Sequence, residues 1–349
     1  AMEVNIGGSF NTAMGVSALD ANISGANNVS LGTYSLSANT TASNNVAVGY
    51  SALNANTTGT ANTAVGASAL DANTTGTELT AVGKSALSAS TGSYNTAMGS
   101  GAMSNTTTAT HNTAVGRIAL SLNTTGANNT AVGSRALYAT TTAGTNTAVG
   151  ANALTTNTTG ASNTAVGSSA LYANTTGFEN VAVGSIALDA NTTGIGNVAI
   201  GEAALTTATT ASYNTGVGRA ALRLTTTGAS NTGIGFEALK ANTTGTQNVS
   251  VGANALTTNT TGDNNVALGI YALEANTTAD DNTAVGTTAL SSNTTGANNT
   301  AVGRNALYSN TTANGNVALG YYSLYYNTSG VSNAALGYQA MYTNSTGAN

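Results

Sequence analysis

Hydrophobic and small residues recur along the chain with a period of 17 residues. From Asn11 onward the chain divides into 20 copies of a unit that reads N-T-A-V-G-x-x-A-L-x-x-N-T-T-G-x-x, and only the copy at 79–94 has 16 residues. We number repeat positions 1 to 17 from Asn11, which puts Gly15 at position 5 and Leu19 at position 9. Position 5 is Gly in every copy, and position 4 is always Val, Ile, Leu or Met. This self-similarity predicts a repeat architecture in which every copy occupies an equivalent environment.

Positions 2 to 4 have the pattern of a short β-strand. Side chains alternate between the two faces of a strand, so positions 2 and 4 share one face, as in Val181-Ala182-Val183. We predict that this apolar face looks inward. Position 3 is always Ala, Ser or Gly, which indicates close packing against another surface. We expect two short strands per turn, with the bends supplied by the Gly at position 5 and by the Asn-Thr-Thr-Gly segment.

Charged residues fall at a restricted set of repeat positions. Within the repeats they occur at positions 6, 7, 10, 16 and 17, as do Lys84, Arg135, Asp71, Asp263 and Glu78 respectively. Unpaired charges are costly to bury, so these positions should be exposed and the others protected. Such periodic protection is typical of a folded chain rather than a disordered low-complexity tract.

The fold class that fits these patterns is an all-β parallel β-solenoid, or β-roll, of about 20 coils. Helix is disfavoured because Gly, Thr and Asn recur in every unit. The absence of Pro suits a stacked parallel ladder, which uses every backbone N–H as a donor. Residues 11–349 are predicted to form a single repeat domain. Residues 1–10 are predicted to be a lead-in, partly introduced by cloning because Met2 is not the first residue.

Composition excludes several classes of function. Only 5% of residues are charged and the net charge is -5, so no basic stripe is available for nucleic acid. No apolar run is long enough for membrane insertion as a helix. The chain has no Cys and one His, so we expect no enzyme activity and no cofactor.

The recurring Asn-Thr-Thr segment has two interpretations. Asn73-Thr74-Thr75 and its copies match an N-glycosylation acceptor sequence. The interpretation we favour is a ladder of stacked turns, in which each Asn amide bonds the next coil.

The N-T-A-V-G-x-x-A-L core resembles the repeat in the heads of trimeric autotransporter adhesins of the Yersinia adhesin type. It is still more similar to the N-T-A-V-G-x-x-A-L-x-x-N-T-T-G repeats of phage tail-fibre and related surface proteins. The resemblance covers residues 11–349 and implies a left-handed β-roll, a homotrimer, and a role in attachment on a cell surface or virion, outside the cell. The small residues at positions 3, 5 and 8 would permit an inter-chain face.

Two groups of residues are candidate sites. Asp263 and Asp280 share position 16 in adjacent coils with Asp281 beside them, which makes a weak candidate for Ca²⁺, although surface carboxylates are usually only solvated. The second group consists of tyrosines and one arginine, which are predicted to form two columns in the last coils. These columns either bind a glycan or a receptor protein or stiffen the rod. The members of this group are Arg304, Tyr308, Tyr321, Tyr322, Tyr325, Tyr326, Tyr338 and Tyr342. Arg304 is expected to stack on Tyr321.

Three functions remain open. The leading hypothesis is a trimeric fibre segment of a surface adhesin or phage tail fibre. A second is an extracellular filament subunit that stacks end to end. A third is ice binding, suggested by the Thr rows and the low charge but disfavoured because adjacent Thr residues point to opposite faces of a strand.

Overall fold

The computed structural model describes residues 1–347 and shows an all-β parallel β-solenoid of about 19 turns with about 17 residues per turn. The chain divides into two compact units, Ala1–Thr176 and Gly177–Asn349, each of which contains ten three-residue strands. Strands β1 to β10 of the first unit are Thr12–Met14, Val29–Leu31, Val46–Val48, Thr63–Val65, Thr80–Val82, Thr96–Met98, Thr113–Val115, Thr130–Val132, Thr147–Val149 and Thr164–Val166. Strands β11 to β20 of the second unit are Val181–Val183, Val198–Ile200, Thr215–Val217, Thr232–Ile234, Val249–Val251, Val266–Leu268, Thr283–Val285, Thr300–Val302, Val317–Leu319 and Ala334–Leu336.

Within each unit, every strand pairs in parallel with its neighbour in sequence, and equivalent repeat positions lie opposite each other. Thr130 pairs with Thr147 in the first unit, for example, and Thr283 pairs with Thr300 in the second. The strands occupy positions 2 to 4 as predicted. The prediction of two strands per turn is wrong, because the described residues of each turn contain one strand and the rest is built from turns and bends.

The backbone conformation explains why the second strand is absent. Positions 7, 9 and 17 take positive φ in turn after turn, as do Asn152 at +58°, Leu137 at +52° and His111 at +59°. These left-handed residues interrupt an extended conformation. Bonds between turns persist nonetheless, since the Leu137 N–H donates to the Ala153 carbonyl at 3.1 Å.

The strand faces are oriented opposite to the prediction. Position 3 is the buried position of almost every strand, whereas positions 2 and 4 are half-buried or exposed, as Thr130, Ala131 and Val132 illustrate. The reason is that Leu at position 9 fills the narrow interior and leaves space for little more than a methyl group opposite it. An added Cβ at Gly233, a position-3 glycine, would lie 3.1 Å from Leu222 Cγ.

The interior of each turn is shared between small apolar groups and amides. Ala at position 8 and Leu at position 9 are fully buried, as are Ala119 and Leu120. Away from the end turns, where Asn11 and Asn344 are half-buried, Asn at positions 1 and 12 is also buried, for example Asn45 and Asn56. Buried amides require partners, and the partners are the same residues of the adjacent turns.

Two asparagine ladders run along each unit and are interrupted where another residue replaces Asn, at Leu79, Ser90, Thr106 and Thr140 in the first unit and at Ala208 and Thr225 in the second. At position 12, Asn56 Nδ2 donates to Asn39 Oδ1 at 3.1 Å and to the Gly59 carbonyl at 2.9 Å. At position 1, Asn45 Oδ1 accepts the backbone N–H of Asn62 at 2.9 Å. The predicted ladder is thus confirmed, and full burial of the position-12 amide withholds it from a glycosylating enzyme in the folded chain.

Residues 1–10 continue the repeat instead of preceding it. Asn22 Nδ2 donates to Asn5 Oδ1 at 2.8 Å, so that Asn5 occupies position 12 of a partial turn. The Met2 N–H donates to the Ala18 carbonyl at 3.0 Å, which places Met2 at position 9.

The charged residues lie outside the core, although most of those at position 10, such as Asp71 and Asp189, are half-buried rather than exposed. Over residues 1–347 no Lys, Arg, Asp or Glu is fully buried. In the same range, no helix has the length and apolar character that a membrane span requires.

Candidate binding surface

Tyrosines at position 10 form a stacked column in the second unit. The ring centroids of Tyr308 and Tyr325 are 5.1 Å apart with an interplanar angle of 7°. Those of Tyr325 and Tyr342 are 5.3 Å apart with an angle of 16°. The spacing follows from the parallel register, since equivalent positions of successive turns lie about one strand spacing, ~4.8 Å, apart.

A second column occupies position 6. Tyr321 and Tyr338 stack with centroids 5.6 Å apart and an interplanar angle of 7°. Tyr322 joins the two columns, because its ring packs edge-on against Tyr321 at 4.2 Å and against Tyr325 at 4.9 Å. Tyr326 packs edge-on against Tyr325 at 4.7 Å. The seven rings therefore form one continuous aromatic cluster, as the sequence predicted, while its binding role stays a prediction.

Stacking determines which parts of the rings a ligand can reach. The faces of Tyr325 are covered by Tyr308 and Tyr342, so the column presents ring edges and hydroxyl groups to solvent. Tyr338 is the most accessible ring, with 70% of its surface exposed. The cluster is thus suited to hydrogen bonding and edge contacts more than to stacking by an incoming ring.

Interactions inside the cluster raise the pKa of three of its phenols, Tyr321, Tyr325 and Tyr342. The hydrogen bond with Tyr322 is the main cause of the raised pKa of Tyr321, with desolvation second. Burial is the main cause of the raised pKa values of Tyr325 and Tyr342. Neutral hydroxyls can both donate and accept hydrogen bonds.

Arg304 occupies position 6 one turn before Tyr321 and is exposed. Its positive charge lowers the pKa of Tyr321 in opposition to the stronger effects just described. The predicted stacking on Tyr321 is not found among the described residues, where guanidinium groups lie over rings at Arg135 with Tyr138, 5.0 Å, and at Arg219 with Phe236, 5.7 Å. The Arg304 guanidinium is therefore left available to solvent.

The acidic candidates Asp263 and Asp280 lie in adjacent turns, where their carboxylates bond to the backbone. Asp263 Oδ1 accepts the backbone N–H of Thr246 at 2.6 Å, and Asp280 Oδ1 accepts the N–H of Asp263 at 2.7 Å. These carboxylates therefore bond to the adjacent turn, a structural role that Ser43 also has at position 16. Across residues 1–347, no group of three or more His, Cys, Asp or Glu side chains is placed to hold a metal ion, and Asp281 completes none.

The outward face of the strands is a feature that sequence reasoning assigned to the core. Position 4 carries exposed apolar side chains, such as Val149 at 37% and Ile200 at 39%. Position 2 carries Thr in seven successive strands, β4 to β10. The sequence signal that could have identified this orientation is position 3, which is always a small residue and therefore fits a narrow interior.

No protein-family model matches the chain, and the curated proteins that were searched give no match either.

Proposed function

We propose that the chain is a structural segment of an extracellular fibre, of the adhesin or tail-fibre kind, whose copies associate side by side as a homotrimer through the outward face of the strands. In this role the solenoid is a stiff support, and the tyrosine cluster supplies the attachment surface for a glycan or receptor protein.

The observation that carries this proposal is the apolar column at position 4. In each unit, ten strands ~4.8 Å apart and three residues wide, at ~3.3 Å per residue, give a face of roughly 480 Å². The column along it is Val, Ile, Leu or Met in every strand, and no charged residue interrupts positions 2 to 4. The apolar column takes up part of this face and Thr or Val at position 2 takes up another part, and faces with continuous apolar patches are often functional. A partner commonly contributes ~800 Å² to a stable interface, so the face would supply about half of that area.

The inter-chain face thus differs from the one inferred from small residues. Positions 3 and 8 are turned into the interior, as Ala131 and Ala136 show, so they are not available to a second copy. Positions 2 and 4 replace them.

Mass measurement in solution tests the proposal. Light scattering should give a fixed trimer mass over a wide range of chain concentration. The double variant Val132→Glu and Val149→Glu should dissociate towards a monomer, because it places unpaired charges in the interface. The matched control carries Ser134→Glu and Ala151→Glu at the exposed position 6 of the same turns and should keep the parent mass. A parent that is monomeric at every concentration contradicts the proposal, and a mass that grows with concentration favours the end-to-end filament.

Ice binding is a second candidate, and the strand orientation favours it. Thr at position 2 and Val or Met at position 4 share one outward, uncharged face from β4 to β10, which gives a regular two-column array. The earlier objection concerned adjacent Thr residues and does not apply to residues two apart. Thermal hysteresis that is present in a monomeric parent and lost in Thr130→Lys would support this function. Ice crystals that grow normally in the presence of the parent would exclude it.

A further inference from the structure

We infer that the tyrosine cluster together with Arg304 binds a saccharide that carries a carboxylate, such as a uronic acid or a sialic acid. This inference rests on the proposed attachment function and specifies its ligand.

The first step is the isolated positive charge. Arg304 is the only charged residue of 282–349. It is exposed, and the ion pairs of the described residues are Arg219 with Glu202 and Lys240 with Glu237, so Arg304 has no carboxylate partner there. A guanidinium presents a planar fork of donors that fits a carboxylate in two parallel hydrogen bonds. The surface therefore complements one negative group, without other charges to compete for it.

The second step is the chemistry around that charge. Stacking covers both faces of Tyr325 and one face each of Tyr321 and Tyr338, so the surface offers ring edges and phenol hydroxyls together with an open face at Tyr338. Sugars offer many hydroxyl groups together with small apolar C–H faces, which match this mixture of hydrogen-bonding groups and ring edges better than a purely apolar ligand would. Tyr321 and Tyr338 continue the column that starts at Arg304, so a chain of sugar units can follow position 6 from the guanidinium onward.

The third step is preorganisation. The Tyr322 N–H donates to the Arg304 carbonyl at 3.1 Å, and the Gln339 N–H donates to the Tyr321 carbonyl at 2.9 Å. The backbone under the column is thereby fixed, and the tyrosine rings are held by each other. Groups ordered before binding lose little conformational entropy when the ligand arrives.

The test uses the full chain and two matched probes, a uronic-acid hexasaccharide and the same hexasaccharide with its carboxyls reduced to alcohols. Calorimetry should show that the parent binds the acidic probe at least about tenfold more tightly than the reduced one. Arg304→Gln should remove this difference, whereas Arg117→Gln should retain it. Arg117 is the control because it is exposed at position 6 between turns that carry Ser100 and Ser134 in place of tyrosine. The Arg304→Gln variant should bind the acidic and the reduced probe with equal affinity, since reduction of the probe and replacement of Arg304 remove the same contact.

Three results would overturn the inference. They are equal binding of the two probes by the parent, an equal loss in Arg117→Gln, and binding of an acidic peptide such as oligoglutamate as tight as that of the saccharide. The solution mass of the parent is measured on the same samples. If the chain forms the expected trimer but does not bind the acidic probe, the saccharide inference is refuted and the proposed fibre function is not affected.

Discussion

Replacement of Asn293 by Leu removes one member of the position-12 ladder while keeping a side chain of similar size. Asn293 Nδ2 donates to Asn276 Oδ1 at 3.0 Å and to the Gly296 carbonyl at 2.8 Å, and Asn293 Oδ1 accepts from Asn310 Nδ2 at 3.0 Å. In the variant the Gly296 carbonyl keeps a bond from Asn282 at 2.9 Å. Asn276 Oδ1 and one N–H of Asn310 are left buried without a partner. At about 1–3 kcal/mol for each of the two buried orphans, we expect a loss of about 2–6 kcal/mol.

The assay for Asn293→Leu needs local resolution, because long repeat arrays do not always unfold in one step. Urea unfolding followed by circular dichroism gives the overall shift, and native-state hydrogen exchange gives its location. Protection should fall in the turns that carry Asn276, Asn293 and Asn310 and stay unchanged in the first unit. Thr295→Ala, at an exposed position of the same turn, is the matched control and should be nearly neutral. Equal stability of Asn293→Leu and parent would refute the view that the ladder stabilises the turns.

Four further changes test the same physics. Thr140→Asn should stabilise by about 1–2 kcal/mol in thermal unfolding, because the buried Thr140 hydroxyl has no partner and Asn restores the ladder; no gain over Thr140→Val would contradict this. Gly133→Val should cost more than about 1 kcal/mol, since φ is +135° and a Cβ would lie 2.4 Å from the Gly150 carbonyl oxygen; an unchanged melting temperature would contradict it. Ile118→Asn should stabilise by about 1 kcal/mol, because a β-branched residue is strained at φ +49°, and Ile118→Val, which keeps that strain, is the control. Asp189→Asn should stabilise by no more than about 0.5 kcal/mol at pH 7, because solvent screens the charge of this half-exposed side chain. Burial raises the pKa of Asp189 above the usual value of 3.8. The carboxyl is protonated below pH 3.8 and does not destabilise the fold there, whereas the fold loses stability as the pH rises through the pKa of the folded state. The advantage of the variant should therefore disappear below pH 3.8.

Features that depend only on register could be predicted from the sequence. In a parallel solenoid, residues at one repeat position stand one turn apart whatever the rest of the turn does. The tyrosine columns at Tyr308 and Tyr321 and the asparagine ladder at Asn73 follow from that rule alone. The exposure of charged positions is equally robust, since it depends on the cost of burying a charge.

Features that depend on the cross-section of the turn could not be predicted in the same way. The rule that large apolar residues point inward assigned Val132 to the core, but the width of the interior is set by Leu137, and only Ala131 fits opposite it. Positive φ at bulky residues such as Leu137 has no sequence signal of its own. The position of residues 1–10 was readable in principle, because Asn5 stands 17 residues before Asn22.

The distribution of intact ladders bears on the binding surface. In a solenoid each turn is stabilised mainly by its two neighbours, so a break in a ladder weakens the turns beside it. Leu79, Ser90 and Thr106 interrupt the ladders in the first unit, and the Thr106 hydroxyl is buried without a partner. Beneath the tyrosine cluster the ladders are continuous up to Asn327 and Asn333, whose Oδ1 atoms are buried without a partner. The Asn333 N–H donates to Asn316 Oδ1 at 2.9 Å, and Asn327 Nδ2 donates to Asn310 Oδ1 at 3.1 Å. The turns that carry Arg304 and Tyr321 keep both ladders, so a loss of affinity in Arg304→Gln reports a lost contact rather than a loosened scaffold.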